Sequence, residues 1–412
     1  MRKRKNTRIH LLFLSAAFVV LFAVFGEVFS FSPRAFLAGL MPFETVSAES
    51  LRERYADKEL RILLVPGHDN SDYGTEFKGV READLTREVV GYLSGFLESD
   101  EHFQVFTTRD GDTGEYTPFF ASYFQSEEKE VVSFREQLRT FIAEALERGQ
   151  FVMRNGVLHN SAPPRVAHKL YAMNKWANEN KIDAVLHIHF NDYAGRPSGK
   201  VGKYSGFTIY IPDEQFSNAR ASLVLAESVF RQIKKYVPVS DLTGESHGLT
   251  PDQELIAIGA NGSLDGASLL LEYGYIYEPQ FTKPGVRESI MRELAYQTYA
   301  GIKKYFEPEA AISETTLLPF QWNAPLKKDA RTGKDVLALQ AALLFEGVYP
   351  PPGKDLRECP LTGFFGECTE TSVAIFQQKY SHEVLRPHGI TRGTGQAGRR
   401  TLQKLQALYP HE

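Results

Sequence analysis

Apolar residues in this chain cluster in short runs, and the stretches between them read as helices or polar loops. The four residues Ile62-Leu63-Leu64-Val65 form one such run, closed by Pro66-Gly67. A run of this length between turn signals predicts a buried strand. Similar patterns predict strands over residues 61–65, 103–107, 184–189, 208–211 and 268–271. Amphipathic spacing predicts a helix from about Arg81 to Leu97 and another over 133–148. Strands alternating with helices imply an α/β fold, an open twisted sheet with helices on both faces.

Chemistry-bearing residues gather where these strands end. Pro-Gly leaves His68 on the loop past the first strand, the side on which open α/β sheets place ligands. Glu82 opens the helix that follows, after the polar loop Asp69-Asn70-Ser71-Asp72-Tyr73-Gly74. In Ala184-Val185-Leu186-His187-Ile188-His189 the two histidines alternate onto one face, so either offers an imidazole. The last strand, Ala267-Ser268-Leu269-Leu270-Leu271, carries Glu272 at its end. Nitrogen and oxygen donors on separate elements suit zinc, and a catalytic zinc keeps three protein ligands with a base nearby.

These pieces stand in a familiar order. Val65-Pro66-Gly67-His68, Glu82 in Arg-Glu-Ala-Asp-Leu, Thr108-Arg109-Asp110, Ala177-Asn178, His187-Ile188-His189-Phe190-Asn191 and Leu271-Glu272-Tyr273-Gly274-Tyr275 follow one another in the chain. From about Arg61 to Phe306 the sequence resembles the zinc-dependent N-acetylmuramoyl-L-alanine amidases of bacterial cell walls. That resemblance implies Zn2+ as cofactor, His68, Glu82 and His189 as its ligands, and Glu272 as the catalytic carboxylate. It selects His189 because the family's ligand lies two residues before an asparagine, here Asn191. The family usually has serine at the place of His187, and an arginine one turn before Ala177-Asn178 that is missing here.

Composition locates the chain more than it explains it. At 412 residues, more than one domain is expected. A net charge of −4 argues against nucleic acid as a partner and gives no global attraction to an anionic wall. Met1 to Arg8 carries five positive charges, and Leu11 to Phe25 is nearly all apolar. This predicts an N-terminal transmembrane helix oriented positive-side-in, or else a secretory signal removed on export. Either places the bulk of the chain outside the cytoplasm. Cys359 and Cys368, nine positions apart, read as a local disulfide in such a compartment.

The domain layout follows from these signals. Residues 1–31 form a cytoplasmic basic tail and membrane anchor, 32–57 a linker, 58–306 the catalytic domain, 307–322 a second linker, and 323–412 a small all-α domain. The last part holds a repeat. Thr362-Gly363, Gly366, Thr369 and Val373 recur 32 residues later as Thr394-Gly395, Gly398, Thr401 and Leu405. Each copy predicts a glycine turn, a threonine N-cap and a helix. With the Leu339-Gln340 and Phe376-Gln377 pairs, this module resembles a three-helix peptidoglycan-binding domain. Residues 111–176 make a long excursion that is either surface decoration or a lid over the metal.

The function these readings imply is a membrane-anchored zinc hydrolase cutting the bond between N-acetylmuramic acid and L-alanine in peptidoglycan. The alternatives are a catalytically weak wall-binding or activator protein, and a zinc peptidase acting within the stem peptide. Its expected partners are peptidoglycan and the membrane, with a regulatory protein left unassigned.

Overall fold

The computed structural model describes residues 46–157, 159, 161–258, 266–329 and 333–410. The expected N-terminal transmembrane helix lies outside the described residues. Among those described, no helix is long and apolar enough to cross a membrane.

In chain order the catalytic part comprises α1 (Ala48–Ala56), β1 (Leu60–Pro66), β2 (Glu76–Phe77), β3 (Val80–Arg81), α2 (Glu82–Glu98) and β4 (Phe103–Thr107). There follow α3 (Pro118–Ser126), α4 (Glu128–Glu147), α5 (Pro164–Glu179), β5 (Ala184–Asn191), β6 (Thr208–Pro212) and α6 (Ala219–Ile233). It closes with β7 (Leu249–Asp252), β8 (Ala267–Tyr275), α7 (Pro279–Thr282) and α8 (Pro284–Phe306). The six-stranded sheet runs β4-β1-β5-β8-β6-β7. β4, β1, β5 and β8 are parallel, while β6 runs antiparallel to β8 and pairs in parallel with β7.

Helices cover both faces, as the alternation of elements predicts. One face of β1 and β5 presents Ile62, Leu64, Leu186 and Ile188 to a core shared with Val89 and Leu93 of α2, Val229 of α6 and Leu294 of α8. The other presents Leu63, Val65 and Val185 to Phe120, Leu138, Tyr171 and Trp176 from α3, α4 and α5. β7 escaped the sequence reading because Leu-Thr-Pro-Asp is short and contains proline, which suits an edge strand. The stretch expected to be an N-terminal linker carries α1, begun by a reciprocal Ser47–Ser50 capping box. Leu51 and Tyr55 of α1 are buried in the main core, so the folded unit extends upstream of residue 58.

The C-terminal part packs three main helices, α9 (Lys334–Phe345), α10 (Glu367–Lys379) and, after the short α11 (Ser381–Val384), α12 (Arg399–Leu408). Here the repeat works differently from its sequence reading. The N-caps of α10 and α12 are Gly366 and Gly398, and Thr369 and Thr401 sit one turn in, buried. Each threonine hydroxyl instead accepts a hydrogen bond from a glutamine of the preceding helix: Gln340 Nε2 to Thr369 Oγ1 and Gln377 Nε2 to Thr401 Oγ1, both 3.0 Å. The same glutamines accept from the turn glycines, Gly363 N to Gln340 Oε1 at 2.9 Å and Gly395 N to Gln377 Oε1 at 3.2 Å. The repeated glutamine thus ties each helix to the start of the next. Cys359 and Cys368 form the expected disulfide.

The two parts share one core. Val286 and Ile290 of α8 belong to the same apolar cluster as Val336 and Leu337 of α9. Residues 307–322 are held down: Thr315 and Thr316 hydroxyls and the Thr316 N–H all donate to the buried Glu293 carboxylate, and Leu317, Leu318 and Trp322 are buried. Arg357 pairs with Asp241 at 3.1 Å and donates to the Val239 carbonyl at 3.0 Å. The composition of this segment suggests a tether, but apolar burial and a buried carboxylate make it a strut.

Replacing Gln377 with leucine removes the partner of Thr401 and of the turn amides while keeping the apolar bulk. Buried groups left unpaired cost roughly 1–3 kcal/mol. Gln377→Leu is therefore expected to lower unfolding stability by that amount, read by chemical denaturation of the whole chain. An unchanged midpoint would show the clamp to be dispensable.

Candidate metal centre

Three elements deliver the site. β1 ends at Pro66, and the chain turns so tightly after Gly67 that His68 adopts a left-handed φ of 63°. For a residue with a Cβ this costs of order 1–3 kcal/mol and persists only where the surroundings enforce it. Glu82 is the first residue of α2, where the helix N-terminus favours negative charge. His189 lies near the C-terminal end of β5, and its Cα partner on β8 is Glu272.

His68, Glu82 and His189 converge, with one ligand atom from each lying within 4.8 Å of the others. Glu82 Oε2 is 3.2 Å from His68 Nε2, and Glu82 Oε1 is 2.9 Å from His189 Nδ1. The backbone N–H groups of Thr75 and Phe190 donate to the same two oxygens at 3.1 and 3.2 Å. Burial pushes the Glu82 carboxyl up, but the His68 charge, the His189 contacts and the Thr75 N–H outweigh it and hold the group below its ordinary value. Two imidazoles and an ionised carboxylate, the imidazoles partly exposed, match the donor chemistry of a zinc site with an open side.

Two glycines make room for this arrangement. A Cβ on Gly67 would lie 2.4 Å from His189 Cε1, and one on Gly74 would lie 2.4 Å from Glu82 Oε2. Asp69, next to His68, accepts from the Ser71 and Asp72 amides and pairs with Lys169 of α5 at 2.5 Å. Burial raises its carboxyl, but Lys169 and Ser71 more than compensate and leave it well below the usual range.

Glu272 stands beside the cluster. It is half-buried, and its Oε2 is shielded from solvent with no hydrogen-bond partner among the described residues. Burial, together with the neighbouring Glu82 and Glu245 carboxylates, raises its carboxyl well above the ordinary value. Glu245 was not legible as a site neighbour. It arrives on the loop after α6 and is saturated by Asn191 Nδ2 and the hydroxyls of Tyr210, Ser240 and Tyr275. Only the fold brings that loop to the strand tips.

His187 shares a strand face with His189 but lies outside the group of three. It is buried among apolar neighbours, with both ring nitrogens unpartnered among the described residues. Burial and the His189 charge pull it down to about 3. The excursion packs against the sheet end beyond Glu272. Val157 joins Tyr210 and Leu270 in an apolar cluster, and His159 Nε2 meets the buried Asp252 at 2.9 Å.

An α/β protein with two imidazoles and a carboxylate converging at its strand tips, and a second carboxylate alongside, has the makings of a metal-dependent hydrolase. The chain belongs to the N-acetylmuramoyl-L-alanine amidase family (Amidase_3), which it matches over residues 62–304. No curated protein matches it. Among solved structures it is similar to the CwlD amidase from Clostridioides difficile in complex with the GerS lipoprotein, at 16% identity and a TM-score of 0.39, covering 61% of this chain and 100% of that one. It is also similar to the amidase AmiC2 of Nostoc punctiforme, at 18% identity and a TM-score of 0.36, covering 60% and 97%. The family assignment rests on the sequence match and not on these overlaps.

A histidine whose folded pKa is depressed stabilises fully above its unfolded value near 6.5 and loses that stability as pH falls toward 3. In metal-free protein, His187 should account for a loss of roughly 3 kcal/mol between pH 7 and pH 4. His187→Ser should flatten the pH dependence of unfolding over that window by a similar amount. Parallel curves for the two proteins would show that His187 is not held neutral.

Proposed function

We propose that this protein is a zinc-dependent amidase that hydrolyses the amide bond between N-acetylmuramic acid and L-alanine in peptidoglycan. The observation that carries the proposal is the convergence of His68, Glu82 and His189 from three separate elements within the span matching the amidase family. These three residues would hold the metal. A zinc ion bound there would polarise the scissile carbonyl and make water acidic enough to attack near neutral pH.

The protein's own groups do the rest. Glu272, with a carboxyl of raised proton affinity and a free oxygen, accepts the attacking water's proton at Oε2. It then passes the proton to the departing alanine nitrogen. The Arg109 guanidinium holds the His68 carbonyl, and the Thr75 and Phe190 N–H groups hold the two Glu82 carboxylate oxygens. The helical C-terminal part would supply a second grip on the polymer. Residues 1–31 would hold the protein at the membrane with its catalytic domain outside. The GerS complex of the CwlD amidase shows a protein partner for that enzyme; for this chain a regulatory partner stays unassigned.

His189→Ala should lose bound zinc and activity together. Glu272→Gln should keep its zinc and turn over about 10²–10⁴-fold more slowly. Mass analysis of products from purified peptidoglycan names the bond: stem peptides released with a free L-alanine amine support the amidase reading. Fragments cut inside the stem would replace it with a peptidase, and intact material with a wall-binding protein.

A further inference from the structure

Family order places Thr108-Arg109-Asp110 after β4 without saying what Arg109 does. The structure puts its side chain behind the metal centre, 3% exposed and with no carboxylate in ion-pair contact among the described residues. Its Nη1 donates to the carbonyls of His68 at 3.0 Å, Ala83 at 3.3 Å and Gly67 at 3.4 Å, and its Nε to the Gly114 carbonyl at 2.8 Å. A buried guanidinium without a counter-ion is expensive and persists only where hydrogen bonds compensate it.

Three of those four carbonyls flank or belong to candidate ligands. Gly67 and His68 bracket the left-handed turn, and Ala83 follows Glu82. Thr86 Oγ1 adds a second donor to the Gly67 carbonyl at 2.8 Å. The strained His68 backbone thus has its carbonyls pinned on both sides, and the same group fixes the first turn of α2. We propose that Arg109 is a positioning residue of the metal centre, holding the His68 turn and the start of α2 together so that both side chains are pre-set for one cation.

A lysine cannot take over this role. Its single ammonium lacks the planar fork that spans separated carbonyls. Loss of the clamp lets the His68 turn relax toward an ordinary conformation, which swings the imidazole away from Glu82 and His189.

The inference rests on the metal-centre reading above, and the test separates the two. Zinc affinity is measured by competition with a chromophoric chelator, alongside the visible spectrum of the cobalt-substituted protein and the melting of the metal-free form. Arg109→Met is expected to bind zinc about 10–100-fold more weakly, with an altered cobalt spectrum. Arg109→Lys is expected to show a loss of about tenfold. Lys175→Met breaks the ion pairs that the buried Lys175 makes with the partly exposed Glu127 and Glu179, away from the turn. It should lower the melting temperature and leave zinc affinity unchanged. Zinc affinity within about twofold of wild type and an unaltered cobalt spectrum in either folded Arg109 variant would overturn the proposal, whatever the melting temperature. Should Arg109→Met fail to fold, Arg109→Lys decides by the same readouts. If wild type takes up no zinc, or His189→Ala keeps it, the metal-centre reading itself falls.

Discussion

The Glu82 carboxylate is the constraint around which the catalytic half of this protein is built. Taking an ionised carboxylate out of water costs several kcal/mol unless charge and hydrogen bonds meet both oxygens. Here each oxygen meets one imidazole and one backbone N–H. That requirement fixes where β1 ends, how α2 begins and how close β5 approaches. It also explains Gly67 and Gly74, since a side chain at either would displace His189 or Glu82.

The parallel sheet turns that local demand into a site. With β5 between β1 and β8, their C-terminal ends meet on one side, and strand register sets His189 beside Glu272. Glu82 and Glu272 are the same chemical group in opposite environments. Imidazoles and a helix start surround the first and hold it ionised, while burial and neighbouring acids raise the second. Two carboxyls of the same kind are thus pushed apart by what surrounds each of them.

The C-terminal part is joined to this machinery more tightly than its composition suggests. A shared apolar core, the Glu293 contacts to the connecting segment and the Arg357–Asp241 pair fix its position relative to the catalytic half. The excursion between β4 and β5 is likewise packed, through Val157 and His159, along the sheet end next to Glu272.

The sequence alone determined the α/β class, five of the six strands of the main sheet and the order of the chemistry-bearing residues. Those features follow from apolar runs, turn residues and local spacing, which are properties of neighbours in the chain. The Cys359–Cys368 disulfide was equally legible, because its two ends are nine positions apart. What needed the tertiary structure were contacts between distant segments: Arg109 on the His68 carbonyl, Lys169 on Asp69, Glu245 beside Glu272. Thr369 and Thr401 show the same limit. As local signals they read as helix caps, but partners from the preceding helix make them anchor points one turn inside. A side chain's type and spacing say what bonds it can make; only the folded chain decides which donors and acceptors come within 3 Å of it.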